Sequence, residues 1–306
     1  MEEIVFIVDE NLLNERLDKA LLTKVDFSRT RIQSLIEDGL VTVNDETVKS
    51  NYKLRLNDEV ILSVPDVIEY NVEPIKMDLN IVYEDNDVIV INKPRGLIVH
   101  PTYTTTEPTL VNGVLYHCKD LSGINGIFRP GVVHRIDKNT TGLIIMAKND
   151  NAHLALSQQL VDKTMSRKYY ALVNGVIQHD VGTIDAPIGR DPKDRQKMTV
   201  IEKNSKDAVT KFYVLERFMN HTLIECHLMT GRTHQIRVHM EYIGYPVVND
   251  TTYTTRKLKG EGQLLHAFEL TFIHPTTKEK MTLNCPLPQD FEDYLNDLRE
   301  REMLNG

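Results

Sequence analysis

The chain has 306 residues, 41% of them hydrophobic and 26% charged, which is an ordinary composition for a globular protein. This length accommodates one large domain, or a small domain followed by a larger one. No apolar run approaches the roughly 18 residues of a membrane-spanning helix, and no signal-peptide pattern follows the acidic start. Cys118, Cys226 and Cys285 are far apart and lack metal-ligand spacing. We therefore expect a cytoplasmic protein with reduced thiols and no membrane partner.

The net charge of −8 would by itself argue against a nucleic-acid partner, but the charges are unevenly distributed. Residues 163–259 contain 16 Lys and Arg against 10 Asp and Glu, whereas the remaining residues contain 20 against 34. A basic region within an acidic protein is able to bind phosphate locally while the rest maintains solubility. A solvated charged surface would have the same composition, so both interpretations are open at this point.

Residues 12–62 have the pattern of a small α/β module. Two amphipathic helices are followed by a β-hairpin, and Ser28 is the predicted N-cap of the second helix. Arg29 and Arg31 fall on the exposed side of that helix and are candidate RNA contacts. This arrangement resembles the RNA-binding S4 domain, named after ribosomal small-subunit protein four. A generic helix–hairpin domain would have a similar pattern.

Residues 63–78 mix proline, charge and isolated apolar residues without a period, which predicts a linker into a second domain at 79–306. Asn151 and Thr233 are the predicted N-caps of two of its helices. Strands are predicted at 81–84, 88–91, 168–175, 209–216, 222–229, 264–273 and 281–284, helices at 110–118, 151–163, 233–244 and 291–298, and a basic loop at 189–197.

The centre of the second domain is a short polar stretch, residues 131–142. His134, Arg135 and Asp137 lie between an apolar pair that we interpret as the end of a buried strand, 132–133, and a second apolar run. Burying charge without a partner is costly, so this is an unusual place for three ionisable groups. The stretch is either a polar turn whose Asp caps neighbouring amides or a carboxylate held at a sheet rim for chemistry.

Four motifs in order resemble those of the large-subunit ribosomal RNA pseudouridine synthases of the RluA/RluD type. Residues 134–142, His-Arg-Ile-Asp-Lys-Asn-Thr-Thr-Gly, are similar to the signature His-Arg-Leu-Asp-x-x-Thr-Ser-Gly. Residues 92–101 resemble the family's first motif, 167–173 its tyrosine-bearing strand, and 231–240 its third motif. The resemblance implies an α+β fold, with a mixed, largely antiparallel sheet flanked by helices and loops, preceded by the S4-like domain.

The resemblance implies isomerisation of specific uridines to pseudouridine in structured RNA, with 23S ribosomal RNA as the expected substrate. The reaction breaks the bond between ribose and the uracil nitrogen, rotates the base and reattaches it through carbon 5. It is redox-neutral, so we expect no cofactor and no metal. An ionised carboxylate is able to attack the ribose or the base, or to abstract a ribose proton, and the signature selects Asp137 for this role.

The same resemblance assigns the other site residues. Arg237 is expected to keep Asp137 ionised, because a lone carboxylate in an apolar pocket would have a raised pKa; a surface helix arginine is the alternative. Tyr169 is expected to stack on the uridine, which has to be flipped out of the RNA, and Arg135 to occupy the vacated space. Five further residues complete the expected substrate contacts. His134 supports the loop by hydrogen bonding, and Lys93 is expected beside the site, either contacting phosphate or as an ordinary surface lysine. The others are Arg232 and the S4-like pair Arg29 and Arg31.

Three alternatives follow from the sequence. His234 and His239 are five residues apart, but no cysteine or carboxylate accompanies them at ligand spacing, which favours structural histidines over a metal site. The second alternative is a non-catalytic RNA-binding or ribosome-assembly protein, although such a protein would not need Asp137, Tyr169 and Arg237. A synthase acting on tRNA is the third alternative. We expect a monomer whose partner is structured RNA and not DNA.

Overall fold

The computed structural model divides into two compact units, Met1–Tyr70 and Asn71–Gly306. It describes residues 2–25, 27, 29–64, 72–102, 105–118, 121–124, 129–194, 196–254 and 262–303. The predicted N-cap Ser28, part of the predicted linker (65–71) and the side chain of Arg31 lie outside this description. Every helix within the described residues is too short or too polar to cross a membrane.

The first unit is a four-stranded antiparallel sheet with two helices. Its sheet order is β1-β4-β2-β3, and Leu21, Leu35 and Leu62 belong to one buried core. The predicted pair of helices followed by a hairpin is thereby confirmed. The elements in chain order are β1 (Glu2–Ile7), α1 (Leu17–Lys24), α2 (Arg29–Glu37), β2 (Val41–Val43), β3 (Glu46–Thr47) and β4 (Glu59–Val64).

The second unit is built on a nine-stranded sheet. Its elements are β5 (Ile81–Glu84), β6 (Val88–Lys93), α3 (Leu110–His117), β7 (Thr141–Ala147), α4 (Asp150–Val161), β8 (Ser166–Asn174), β9 (Val181–Asp185), β10 (Ile188–Arg190), β11 (Met198–Val200), β12 (Ser205–Lys206), β13 (Val209–Arg217), β14 (His221–Leu228), α5 (Gln235–Tyr242), β15 (Leu265–Ile273), β16 (Lys280–Asn284) and α6 (Gln289–Met303).

The order of the large sheet is β5-β6-β7-β15-β8-β14-β13-β9, with β16 paired to β15. Only the β7–β15 pairing is parallel among the described strands, which confirms a mixed, largely antiparallel sheet and the α+β class. Both faces of β6 and β7 are covered: Ile89 and Ile144 pack into one core, and Val90 and Ile145 into another. Burial on both faces explains why these strands are continuous apolar runs rather than alternating ones.

The structure corrects four local predictions. Part of the predicted basic loop 189–197 lies in a three-stranded sheet of order β11-β10-β12. The predicted strand end at 132–133 makes a single bridge, Val132 to Met146. The N-cap of α4 is Asn149 instead of Asn151, because its side chain accepts a hydrogen bond from the Ala152 N–H. The N-cap of α5 is His234 instead of Thr233, in the left-handed conformation.

Gly142 lets β7 lie against β15 where the two strands pair in parallel. Its φ is +107°, a conformation that other residues rarely adopt, and a Cβ there would overlap the carbonyl oxygen of Ala267. The glycine at the end of the signature motif is thus required by the backbone of a neighbouring strand. Strand β7, which follows directly from the Asp137 loop, depends on this close contact.

We expect Gly142→Ala to lower the free energy of unfolding by about 3 kcal/mol, because both the backbone conformation and the contact with Ala267 become unfavourable. Urea denaturation monitored by circular dichroism measures this change. Gly123→Ala is the matched control, since a Cβ at Gly123 meets no atom of the described residues within 4 Å. Equal midpoints for the two variants would contradict the role assigned to Gly142.

Candidate active site

Asp137 and Arg237 form an ion pair although they lie 100 positions apart. Asp137 belongs to the loop that leads into β7, and Arg237 is the third residue of α5. Arg237 Nη1 donates to Asp137 Oδ2 over 2.9 Å, and the two side chains are 6% and 15% exposed. The predicted pairing is therefore present, and the alternative of a surface helix arginine is wrong.

Asp250 holds the other edge of the Arg237 guanidinium. It accepts hydrogen bonds from Nε at 2.6 Å and from Nη2 at 2.9 Å, and it is fully buried. Burial by itself would lower the pKa of Arg237, but the ion pairs with Asp250 and Asp137 raise it above its ordinary value. This bidentate contact fixes the plane of the guanidinium and leaves Nη1 for Asp137.

Tyr253 and His234 complete the surroundings of the pair. The Tyr253 ring lies 5.0 Å from the Arg237 guanidinium carbon, and its hydroxyl shares a 2.9 Å hydrogen bond with His234 Nδ1. His234 Nε2 is 3.9 Å from Asp137 Oδ1, beyond hydrogen-bonding distance. Burial lowers the pKa of His234, opposed by the charge of Asp137, so the ring is neutral near pH 7. Asp137 Oδ1 is the oxygen that Arg237 does not engage.

Tyr169 forms part of the same cleft. It lies on β8, is 5% exposed, and burial raises the pKa of its hydroxyl. Tyr170, the next residue on the strand, points to the opposite face, where its ring stacks on Phe268 with centroids 3.8 Å apart. The cleft between Tyr169, Asp137 and Arg237 has a cavity volume of about 110 Å³.

Two cations from the end of β6 hold the backbone that follows Asp137. Lys93 Nζ donates to the carbonyl oxygens of Pro94, Leu97 and Lys138 at 2.8–2.9 Å. Arg95 Nη1 donates to the next carbonyl, that of Asn139, over 2.9 Å. These contacts fix two consecutive peptide groups directly after the carboxylate.

The predicted position of Lys93 as a surface lysine beside the site is wrong. Its side chain is fully buried, and all three donors of its ammonium are used by carbonyls, so none is available for a phosphate. Burial lowers the pKa of Lys93 to about 7, and the charge of Asp137 opposes this effect. Lys93 supports the loop from beneath instead.

His134 and Arg135 lie on either side of the loop backbone. His134 Nε2 accepts the N–H of Ile145 in β7, which matches the predicted supporting role. Burial, together with the nearby charge of Arg167, lowers the pKa of His134 to about 3, so the ring is neutral. Arg135 is exposed at the mouth of the cleft, with Nη1 3.4 Å from His100 Nε2.

The remaining predicted RNA contacts lie in both units. Arg232 lines the cleft, and its Nε donates to the carbonyl of Asp207 over 2.8 Å. In the first unit, Arg29 is paired with the buried Asp18 at 3.1 Å while 54% of its side chain is exposed. Hydrogen bonds from Arg16 and Arg29 lower the pKa of Asp18 to about 2 despite its burial. Part of the Arg29 charge is therefore used within the module.

Within the described residues, two clusters contain three possible metal ligands each: Asp85, Asp87 and His274 in the first, and Glu84, His117 and Cys118 in the second. Hydrogen bonds explain both clusters. Asp85 accepts from the Tyr83 hydroxyl at 2.7 Å and contacts His274 Nε2 at 2.7 Å, joining two hairpins. In the other cluster, of Glu84, His117 and Cys118, the lysine Lys148 donates to Glu84 at 2.8 Å. A cation already neutralises that carboxylate, which disfavours a second one. In the first cluster, Asp85 Oδ1 also accepts hydrogen bonds from the backbone amides of Asp87 and Val88.

His239, considered above as a metal ligand, and His266 have other partners. Both ring nitrogens of His239 are hydrogen-bonded, to Thr210 and to the carbonyl of Ala186. His266 contacts Thr141 through Nδ1 and Cys285 through Nε2. These are contacts of structural histidines.

The architecture and site define a pseudouridine synthase. The human protein "RNA Pseudouridylate Synthase Domain Containing 1" superimposes with a TM-score of 0.57 at 26% sequence identity, covering 72% of this chain and 95% of that one. The RNA pseudouridylate synthase family model matches residues 87–242, and the S4 domain model matches residues 15–60.

Full-length relatives give the same result. The chain is 54% identical over 302 residues to "Uncharacterized RNA pseudouridine synthase YlyB" of Bacillus subtilis (strain 168), covering 98% and 99% of the two chains. It is 42% identical over 303 residues to "Ribosomal large subunit pseudouridine synthase D" of Neisseria meningitidis serogroup B, covering 94% and 80%. The protein belongs to the RNA pseudouridine synthase family, and it carries an N-terminal S4 domain.

We expect Lys93→Met to lower the free energy of unfolding by about 3 kcal/mol, because it leaves three buried carbonyl groups without their donor. Lys138→Met is the matched control: its ammonium pairs with the exposed Glu107, and surface pairs of this kind contribute within about 1 kcal/mol. Urea midpoints at pH 7 measure both changes. If Lys93→Met were as stable as Lys138→Met, Lys93 would not support the loop.

Proposed function

We propose that this synthase isomerises uridine to pseudouridine in large-subunit ribosomal RNA, with Asp137 as the catalytic carboxylate. The observation that carries the proposal is the asymmetry of Asp137. One oxygen is held by Arg237, and the other faces the cleft without a hydrogen bond from Arg237 or His234. A carboxylate fixed in orientation with one open oxygen is suited to attack the ribose or the base, or to abstract a ribose proton.

Arg237 supports this chemistry through its charge. The guanidinium donates to the carboxylate over 2.9 Å and places a positive charge beside it, and the ionised carboxylate is the form that reacts. Because Asp250 already accepts two of the guanidinium hydrogen bonds, Arg237 donates only one to Asp137. The carboxylate is thus held in place and keeps one oxygen for the reaction.

The target uridine has to leave its stack in folded RNA to reach Asp137. The buried ring of Tyr169 provides an apolar surface within the cleft on which a uracil is able to stack. Arg135, exposed at the cleft mouth, is the side chain that we assign to the space left in the RNA. Tyr169 and Arg135 would therefore bind the base and its former stacking site, respectively.

Large-subunit ribosomal RNA is the proposed substrate because several relatives at about 40% identity are named for the ribosomal large subunit. An enzyme of ribosomal RNA maturation would work in the cytoplasm. We retain the predicted division into an RNA-binding module at 12–62, a linker at 63–78 and a catalytic domain at 79–306. In this arrangement Arg29 and Arg31 extend RNA binding beyond the catalytic domain.

We expect Asp137→Asn to reduce isomerisation to less than about one thousandth of the wild-type rate, because the amide is neither charged nor nucleophilic. Release of tritium from carbon 5 of uridine-labelled large-subunit RNA measures the reaction. Asp162→Asn, a change at an exposed acidic residue at the end of α4, is the control and should retain full activity. Activity that survives in Asp137→Asn would refute the proposed role.

We expect Asp250→Asn to lower kcat about 10²-fold with little change in KM, because the guanidinium of Arg237 loses its bidentate partner and Asp137 its fixed orientation. Steady-state tritium release over a range of RNA concentrations separates the two constants. The control is Asp180→Asn, whose carboxylate is 82% exposed and pairs with Arg217. A rise in KM with unchanged kcat would show that Asp250 contributes to RNA binding instead of positioning.

A further inference from the structure

A second cleft adjoins the active-site cleft, and its charged side chains are all cations. Arg135, Arg167 and Arg232 line both clefts, and Lys163 is added in the second. The described lining of the second cleft contains no carboxylate. Four cations in one concave site repel one another unless an anion binds among them.

Arg167 is the central cation of this cleft, and the fold makes room for it. It lies two residues before Tyr169 on β8, and therefore on the same face of the strand. A Cβ at Gly231 would lie 2.7 Å from Arg167 Nη1, so the glycine leaves space for the guanidinium in its present position. Within the described residues, Arg167 Nε is buried and has no hydrogen-bond partner. Such a donor is costly to bury unless a ligand satisfies it.

His134 contributes a second buried donor to the same cleft. Because its Nε2 accepts the N–H of Ile145, the proton of the neutral ring is on Nδ1. His134 Nδ1 is also buried without a partner among the described residues. Two unsatisfied N–H groups and four cations, with no carboxylate in the described lining, form a built anion site.

We infer that this cleft binds a phosphodiester group of the RNA strand, adjacent to the uridine that enters the active-site cleft. The inference rests on the proposed function and identifies a contact between the enzyme and the RNA backbone. Arg167 would bind the phosphate oxygens through its planar guanidinium, with Lys163 as a second charge. The position follows from Arg135 and Arg167, which line both clefts and so connect the reacting base with its flanking phosphate.

The salt dependence of RNA binding tests this inference. The probe is an unmodified transcript of large-subunit ribosomal RNA, and its Kd is measured at several KCl concentrations. Neutralising one phosphate contact reduces the slope of log Kd against log salt concentration by about 0.7–0.9. We expect this reduction for Arg167→Gln and no reduction for Arg167→Lys. Adding Lys163→Gln to Arg167→Gln should reduce the slope further by a smaller amount, because both side chains bind the same phosphate.

Lys211→Gln is the matched control. Lys211 pairs with His227 and His227 with Lys168, so Lys211 lies on the face of the sheet opposite to Arg167 and Tyr169. The slope of log Kd against log salt concentration for Lys211→Gln should equal that of the wild-type protein. Circular dichroism and urea midpoints establish that each variant is folded before binding is compared.

Two results would overturn the inference: an unchanged slope in Arg167→Gln, or an equal reduction in Lys211→Gln. Inorganic phosphate added at constant ionic strength should weaken RNA binding of the wild-type protein but not of Arg167→Gln, because it competes with the RNA phosphate for the cleft. Tritium release is measured on the same wild-type preparation. If no tritium is released but Arg167→Gln shows the expected reduction in slope, the proposed function is refuted and the anion site is retained. If tritium is released but the slope of Arg167→Gln equals that of the wild-type protein, only the anion site is refuted.

Discussion

The active site depends on one guanidinium shared between two carboxylates. Arg237 is largely buried, which is costly for a cation, and Asp250 compensates that cost through two hydrogen bonds from a fully buried position. Its remaining contact, to Asp137, therefore does not have to stabilise the arginine alone. The ion pair with Asp250 holds the arginine in place, and the ion pair with Asp137 orients the candidate catalytic carboxylate. One oxygen of Asp137 is left available to a substrate.

The same logic applies to the loop that carries Asp137. A polar loop between buried strands needs partners for its backbone, and Lys93 and Arg95 supply charged donors to two consecutive carbonyls. Gly142 then lets the chain enter β7 against β15 without a side chain in between. The carboxylate is thus positioned from both directions: by backbone anchors on the loop and by an arginine from α5.

The sequence predicted the elements of this site better than its contacts. Apolar periodicity located most helices and strands, and family motifs brought Asp137, Tyr169 and Arg237 into one site. Asp250 was not predicted as a site residue. It is a single acidic residue after the short apolar pair at 247–248, and many strand ends have this pattern. Lys93 was assigned to the surface because lysines are seldom buried, and only the three carbonyls that surround it make burial possible. The small β10–β12 sheet was missed because two- and three-residue strands carry too little alternation to detect.

Partners distinguish the structural cations from those available to a ligand. Lys93, Arg95 and Arg237 each donate to carbonyls or carboxylates of the chain itself, so these donors are used before any RNA arrives. Within the part of the chain that the structure describes, the buried Arg167 Nε has no hydrogen-bond partner, and Arg135 is exposed beside it. An enzyme with a net charge of −8 binds a polyanion only where cations are left unbalanced by its own acids. Arg135 and Arg167 line the cleft that contains Asp137 and the cleft beside it, and under the proposed function they would direct RNA binding and the reaction to one nucleotide and its neighbour.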